Sequence, residues 1–507
     1  MEDGVKRAVL LTINSGYQIE QDAFNFLREI ANRDDLEEIM KKTMVVHDKT
    51  VGKEKIITRL QLESIIKEYF SESKDFPLEI PTGKDNYRPY AKDVSSEIEI
   101  LSDPGQDLGT AGNINDFLEY FRDRFIRLKK IFKERLDAHD ALTIKEALQV
   151  PSNREIRIIA MVTEKREKNK TTILQIEDQE NTANVIVPFN IDKLVLNKIR
   201  FIALDEVLCF YVIRGQENTF IVKNILWPDI PEKKPKGAKI PVCVGLMSDI
   251  HVGSKTFLYE EFQRFIFWLN GNLGNSRQKE LAGRIKYITI AGDLVDGIGV
   301  YPKQENELKI TDIYKQYENF AQLIEQIPDY IDIVVIPGNH DAVRQAMPQT
   351  ALPKKYLEPI IEAREIISLG NPATVKLHGV NFLLYHGRSL EDVIGIVPDM
   401  GYQTPEKAME YLLKIRHLAP VYGNKTLISP EKRDYLVIDD PPDIFHAGHI
   451  HVTKNEVYRG VNIVNSGAWQ SQTEFQRKMG LIPTPGILPI ADLQKMQVTS
   501  IDFMRSA

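Results

Sequence analysis

The stretch Val242-Cys-Val-Gly-Leu-Met-Ser-Asp-Ile-His251 decides the fold. Its first six residues form a short apolar run, the mark of a strand buried on both faces. The run ends on Asp249 and His251, two side chains suited to holding a metal ion. The same arrangement recurs four times downstream. Ile285-Lys-Tyr-Ile-Thr-Ile290 precedes Gly292-Asp293, and Ile331-Asp-Ile-Val-Val-Ile336 precedes Gly338-Asn339-His340-Asp341. Val380-Asn-Phe-Leu-Leu-Tyr385 precedes His386-Gly387, and Asp443-Ile-Phe445 precedes Gly448-His449-Ile-His451. Side chains placed just past the carboxyl ends of successive strands converge on one rim of a sheet, where open α/β folds build their sites.

Histidine and carboxylate do different work at a metal. An anionic Asp offsets charge and bridges two ions, whereas neutral imidazole ligates without adding charge. Asp293 is the natural bridge. In an extended strand end, the Asp249/His251 and His449/His451 spacings turn both members of each pair toward the same rim. Glycines before Asp293, Asn339 and His449, and after His386, let the backbone turn sharply beside the ions. A single Asp-x-His or His-x-His is usually a structural or surface pair, but five motifs in order at five strand ends are not. They read as a two-metal phosphoesterase.

Composition narrows the alternatives. At 507 residues and 43% hydrophobic content the chain exceeds one domain, and three folded units are expected. A net charge of −7 argues against gripping nucleic acid over the whole surface, so any DNA contact is local or aided by a partner. Cys209 and Cys243 both lie in apolar runs, which excludes a disulfide scaffold and a CxxC zinc site and makes both core residues in a reducing compartment. The Ala8–Ile13 stretch is short and no run approaches a membrane span, so the expectation is a soluble, cytoplasmic protein without membrane contact.

Residues 1–70 read as a helical module: Ile19, Ala23, Phe26, Leu27 and Ile30 share one face, and Thr58 caps a segment carrying Leu60, Leu62, Ile65, Ile66 and Phe70. Residues 71–112 are polar and turn-rich, with Pro77, Pro81, Pro89 and Asp103-Pro-Gly105, and read as a flexible linker. In 113–230, Asn115 caps a long helix with Phe117, Phe121, Phe125, Leu128 and Phe132 on one face. Its basic residues, Arg122, Arg124, Arg127, Lys129, Lys130 and Lys133, alternate with Asp123 and Glu134 and read as a solvated face rather than a DNA contact. Five alternating runs between 154 and 228 then predict a small barrel of the OB type. Strand and helix alternate from 240 to 507. Of the other histidines, His378 and His446 read as core or supporting residues, and His47, His139 and His417 as surface ones.

The motifs Ser248-Asp-Ile-His251, Gly292-Asp-Leu-Val-Asp296, Gly338-Asn-His-Asp341, Tyr385-His-Gly387 and Gly448-His-Ile-His451 resemble those of calcineurin-like metallophosphoesterases, including nucleases of double-strand break repair. With the preceding barrel, long helix and N-terminal module, the whole chain resembles the small-subunit family of archaeal family-D replicative DNA polymerases. The resemblance implies a multidomain α+β chain: a metallophosphoesterase α/β sandwich preceded by an OB-type barrel and a helical module. It further implies a 3′ to 5′ proofreading exonuclease with a large polymerising subunit as partner, acting on single-stranded or frayed 3′ ends and meeting the sliding clamp through the holoenzyme.

Carried over by motif, one metal falls to Asp249, His251, Asp293 and His451, and the second to Asp293, Asn339, His386 and His449. Mixed oxygen and nitrogen ligation suits manganese, iron or zinc better than magnesium, and the resemblance favours manganese. His340 is left for catalysis, with Asp341 orienting its ring or capping a helix. The related accessory subunits of eukaryotic replicative polymerases have lost these ligands, whereas this chain keeps them. That opposes a noncatalytic scaffold. The additional barrel and module oppose a free-standing small-molecule phosphatase, and the barrel, lacking an aromatic-plus-basic stripe, is expected to contact protein.

Overall fold

The computed structural model describes residues 2–29, 36, 39–41, 43, 44, 47, 55–59, 61, 62, 75–78, 87–105, 108–168 and 171–506. Residues 1–74 and 75–507 form two compact units. In the first lie α1 (Glu2–Asn14), β1 (Gln18–Ile19), α2 (Gln21–Glu29) and β2 (Ile56–Ile57), around a core that includes Val5, Ala8, Ala23, Leu27 and Ile57. Ile19 pairs with Ile57 in a two-stranded ladder, so it leaves the helical face expected of it. Thr58 and Gln61 exchange reciprocal cap bonds, as its position predicts. Ile30, Leu60, Ile65, Ile66 and Phe70 fall outside the described residues. His47 is a buried residue with its ring edge against Tyr17, not a surface histidine.

The second unit opens with β3 (Asp75–Leu78) and β4 (Ile98–Ser102). β4 pairs antiparallel with a strand at Ala373–Leu377, with Ile98 opposite Leu377 and Ile100 opposite Val375. This corrects the flexible-linker reading of 71–112 at residues 98–102: polar surroundings hid an edge strand held by its backbone ladder, by Ile98 packed on the core between the sheets and by Glu99 paired with Lys376 at 2.7 Å. Next comes α3 (Ile114–Lys133), whose cap is Asn113 rather than Asn115; Asn113 and Asp116 form the reciprocal box. α4 (Ile144–Gln149) leads into β5 (Glu155–Lys168), β6 (Thr171–Glu177), β7 (Thr182–Val187), α5 (Lys193–Arg200), β8 (Val207–Arg214) and β9 (Thr219–Leu226). The five strands close into a barrel in the order β5-β6-β7-β9-β8.

Two sheets follow. The first is built from β10 (Cys243–Met247), β11 (Ile285–Ala291), β12 (Asp332–Ile336), β13 (Ile367–Ser368), β19 (Ile487–Asp492) and β20 (Gln497–Ser506), in the order β13-β12-β11-β10-β19-β20-β3. The second adds β14 (Ala373–Leu377), β15 (Val380–Leu384), β16 (Ile444–Ala447), β17 (Lys454–Tyr458) and β18 (Val461–Asn465), in the order β17-β18-β16-β15-β14-β4. β10 through β13 are mutually parallel, as are β15, β16 and β18.

Side chains alternating along each strand explain the layers. Val244 and Leu246 of β10 meet Val375, Phe382, Leu384 and Ile444 between the sheets. Cys243 and Met247 face the other way, against Phe262, Phe265 and Trp268 of a helix at Tyr259–Leu269. On the outer side of the second sheet, Leu383 and Phe445 share one continuous core with Met409 and Leu412 of a helix at Pro405–Ile415 and with barrel residues such as Leu208 and Phe210. Cys209 and Cys243 are both buried and unpaired. Among the described residues no helix is long and apolar enough to cross a membrane.

α3 packs Phe125, Leu128 and Phe132 on the barrel, but its charge does not stay in solvent. Arg124 is buried, donating to Asp434 Oδ2 at 2.8 Å, the Pro420 carbonyl at 2.8 Å and Tyr120 at 3.2 Å. Asp434 also takes a bond from His417 Nε2 at 2.8 Å, and His417 Nδ1 accepts from Ala419 N at 3.1 Å. His417, expected at the surface, is thus a neutral buried donor held by both ring nitrogens. Burial, then the neighbouring Arg124, push its pKa from 6.5 down to about 4. The native state therefore binds fewer protons here than the unfolded chain. Its stabilisation is complete above pH 6.5 and lost as pH falls toward 4, up to about 3 kcal/mol. Urea midpoints of wild type and His417→Gln should converge as pH drops from 7.5 to 4.5; parallel curves would exclude the linkage. Arg124→Met, which strands the Asp434 carboxylate, should cost about 3–5 kcal/mol in the same titration.

Candidate metal centre

Each expected ligand sits just beyond a strand. Asp249 and His251 follow β10, Asp293 follows β11, Asn339 follows β12, His386 follows β15, and His449 and His451 follow β16. All are buried or nearly so. The rim is not that of one sheet, as the sequence suggested: β10–β12 belong to one sheet and β15–β16 to the other, so the ligands close across the sandwich edge. Nor do the Asp-x-His and His-x-His pairs converge by strand pleat. Asp249, His251, Asp293, His449 and His451 have φ of 52°, 54°, 54°, 69° and 61°, the left-handed region. Each such non-glycine residue costs on the order of 1 kcal/mol, and this clustering of strain marks a site the surrounding fold pre-forms.

The expected ligands form two sets, beside a third group in which His251 meets Asp296 and His340. Asp249, His251 and His451 form one, and Asp293, His386 and His449 the other, with the donor atoms of each set mutually within 4.8 Å. In the first, His251 Nε2 and His451 Nε2 are 3.2 Å apart, and His451 Nε2 is 3.3 Å from Asp249 Oδ1. In the second, His386 Nε2 lies 3.3 Å from Asp293 Oδ2 and 3.0 Å from Asn339 Oδ1. Asp293 Oδ2 is also 3.8 Å from His251 Nε2, which puts it between the sets.

Close backbone approach needs glycine at several points, Gly338 and Gly448 above all. A Cβ on Gly338 would overlap the Asp293 carboxylate and lie 2.7 Å from the His386 ring, and one on Gly448 would overlap Ser248 and the Asp249 carboxylate.

Electrostatics and unmet bonding both suit cations. Burial disfavours ionised Asp249, but His451 beside it overrides this and holds the carboxyl well below its ordinary range. Burial likewise opposes Asp293, and His386 and then His340 override it. The donor set is imidazole nitrogen with carboxylate and amide oxygen, and Asp249 Oδ1 and His449 Nε2 are buried without a hydrogen bond. The residues therefore fit a pair of divalent ions.

His340 lies outside both of those sets and belongs to the third group, with His251 and Asp296. Its Nδ1 contacts the Asp296 carbonyl at 2.7 Å and its ring stands edge-on to His251 at 4.6 Å. Nε2 is the nitrogen left to the cleft that the ring helps line. Asp341 does not orient it and caps no helix. Its carboxylate accepts from Gly338 N at 2.8 Å, Leu294 N at 3.2 Å and Tyr317 at 3.2 Å, clamping the loops after β11 and β12 together. Burial, then the Asp293 charge, push Asp341 up to about 7.

The residue in the expected orienting role is Asp296. Its Oδ1 contacts His251 Nδ1 at 3.0 Å and Gln470 at 3.2 Å, and its carbonyl holds His340. The Asp293-x-x-Asp296 spacing was its only sequence signal. Glu391 also escaped sequence reading: Oε1 lies 3.6 Å from His449 Nε2, and against burial that neighbour holds Glu391 down at about 2. His446 supports from the core, bonded to Thr289 at 3.0 Å and Ser466 at 2.6 Å, and His378 bonds Tyr287 at 2.6 Å. A cleft of about 400 Å³ opens over the centre, lined by Arg388, Tyr301, Tyr402, Lys425 and Phe475 among others.

The family of B subunits of DNA polymerases alpha and epsilon matches residues 244–454, which span all of these ligands. The DNA polymerase II small subunit of Methanocaldococcus jannaschii is 43% identical over 412 residues, covering 80% of this chain and 68% of that one. That of Methanothermobacter thermautotrophicus is 36% identical over 485 residues, covering 95% and 97%. The chain spans 63% of the length of the Pyrococcus horikoshii counterpart. Among solved structures, Vps29 of Entamoeba histolytica with zinc is similar over 51% of this chain and 90% of its own, at 13% identity and a TM-score of 0.27. The chain belongs to the family of archaeal DNA polymerase II small subunits.

Proposed function

We propose that the chain is the 3′ to 5′ proofreading exonuclease subunit of a replicative DNA polymerase, with a calcineurin-like metallophosphoesterase domain as its catalytic part. The observation that carries the reading is the paired ligand set around Asp293, with Asp249 Oδ1 and His449 Nε2 buried and unbonded. Two divalent ions, manganese by preference, would be held by Asp249, His251, Asp293 and His451 and by Asp293, Asn339, His386 and His449. When bound, such ions polarise a phosphodiester and lower the pKa of water.

The chain's own groups do the rest. Asp296 fixes the His251 ring, and the Asp296 carbonyl engages His340 Nδ1, which leaves Nε2 of this cleft-lining ring for proton transfer. His340 is there to protonate the departing 3′ oxygen. The barrel order, with α5 between its third and fourth strands, supports the OB reading, and its continuous core with the Pro405–Ile415 helix supports a structural or protein-binding use.

The test is hydrolysis of 3′-mismatched primer-templates by the purified chain with and without manganese. Metal-dependent release of 3′-terminal nucleotides is expected; inactivity with both metals bound would count for a scaffold. Co-expressed with the large polymerase subunit, Asp249→Ala should co-purify like wild type and leave synthesis intact while removing proofreading. Failure of the wild-type chain to form that complex in size-exclusion chromatography would refute the subunit assignment.

A further inference from the structure

Phe475 is anomalous for its place. It lines the cleft over the metal centre yet is 58% exposed, and among the described residues it has no aromatic partner. Its position is not loose. It belongs to the short helix Glu474–Met479, whose cap is closed by Thr473 and Gln476 in both directions, at 3.1 Å and 3.2 Å. The same Gln476 places Nε2 2.9 Å from His451 Nδ1. One glutamine thus ties the helix that carries an uncovered phenyl ring to a ligand of the first metal set. The other two aromatic rings of the cleft differ: Tyr301 stands against His340 with its hydroxyl on Glu307, and Tyr402 is half-buried.

We infer that Phe475 is a stacking platform for the unpaired 3′-terminal nucleobase of a DNA strand, and so a specificity-determining residue. The inference rests on the exonuclease reading. An exposed ring held at fixed distance from the centre offers a π-face to any base, whatever its hydrogen-bonding edge. A base still stacked and paired in a duplex must be withdrawn to reach it, whereas a mismatched or frayed base costs least to withdraw. Phe475 therefore rewards unpaired ends without reading sequence.

The test uses the full chain with single-stranded oligonucleotides ending in an ordinary 3′ nucleotide or in a 3′ abasic nucleotide. Phe475→Ala should lower kcat/KM on the ordinary end by roughly fivefold to a hundredfold, the range of one base stack, and leave the abasic end within about twofold of wild type. Phe475→Tyr should restore the ordinary end. Equal losses on both ends, or no loss on either, would overturn the assignment. A second readout needs no turnover: fluorescence of a 3′-terminal 2-aminopurine should be quenched on binding to wild type and Phe475→Tyr but not to Phe475→Ala. Quenching that depends on Phe475 in a chain that hydrolyses nothing would refute the exonuclease reading alone. Equal quenching by wild type and Phe475→Ala would refute the platform.

Discussion

Asp293→Ala is expected to lose both metals together and with them more than about a hundredfold of hydrolysis, since even partners behind a metal ligand are worth about 10- to 100-fold. The reason is position: Oδ2 stands 3.3 Å from His386 Nε2 and 3.8 Å from His251 Nε2, so its removal opens both sets at once. The fold should survive. Asp293 Oδ1 accepts one backbone bond, from His340 N at 2.8 Å, and removing the carboxylate also relieves the like charge that helps push Asp341 upward. Alanine at a φ of 54° adds strain of order 1 kcal/mol, so Asp293→Asn, which tolerates that backbone better, is the control. Elemental analysis of bound manganese, nucleotide release and thermal unfolding together decide the matter. Near-normal cleavage by either variant would sink the two-metal reading.

Much of this centre was legible because its signals are local. Apolar runs ending in Asp, Asn or His mark β10, β11, β12, β15 and β16, and the structure places these strand ends within a residue or two of the expected positions. What was not legible depends on partners far away in the chain. β4 carries Ile98, Ile100 and Leu101 within a polar, turn-rich stretch, and it takes its place as a strand on the edge that β14 presents. Arg124 and His417 look solvated until Asp434, 310 and 17 residues away, buries with them. Asp341 and Asp296 are both acids in ligand-rich motifs, and composition cannot tell which one turns toward a histidine. The left-handed residues were hidden for a related reason. Asp and His tolerate positive φ better than most residues but adopt it in only a small minority of positions, so it is the surrounding packing that imposes it on Asp249 and His451.

His340→Ala should separate metal binding from proton transfer. The ring is in neither set formed by the expected ligands, although it sits with His251 and Asp296 in a third group, so both ions should stay bound, yet cleavage of DNA should slow by about 10²- to 10⁴-fold, the usual worth of a positioned acid or base. Slowing alone would not prove the role, because His340 also packs edge-on against His251 at 4.6 Å and its loss can act through that ligand. Leaving-group chemistry separates the two effects. The departing 3′ oxygen of DNA is a poor leaving group that needs a proton, whereas p-nitrophenolate departs without one. On thymidine 5′-(p-nitrophenyl phosphate), His340→Ala should therefore run within a few-fold of wild type, about tenfold or less below it. A variant disturbed at His251 would be slow on both substrates and short of manganese. Equal slowing on both substrates with full metal content would remove His340 from proton transfer and leave it as a binder of the phosphate itself.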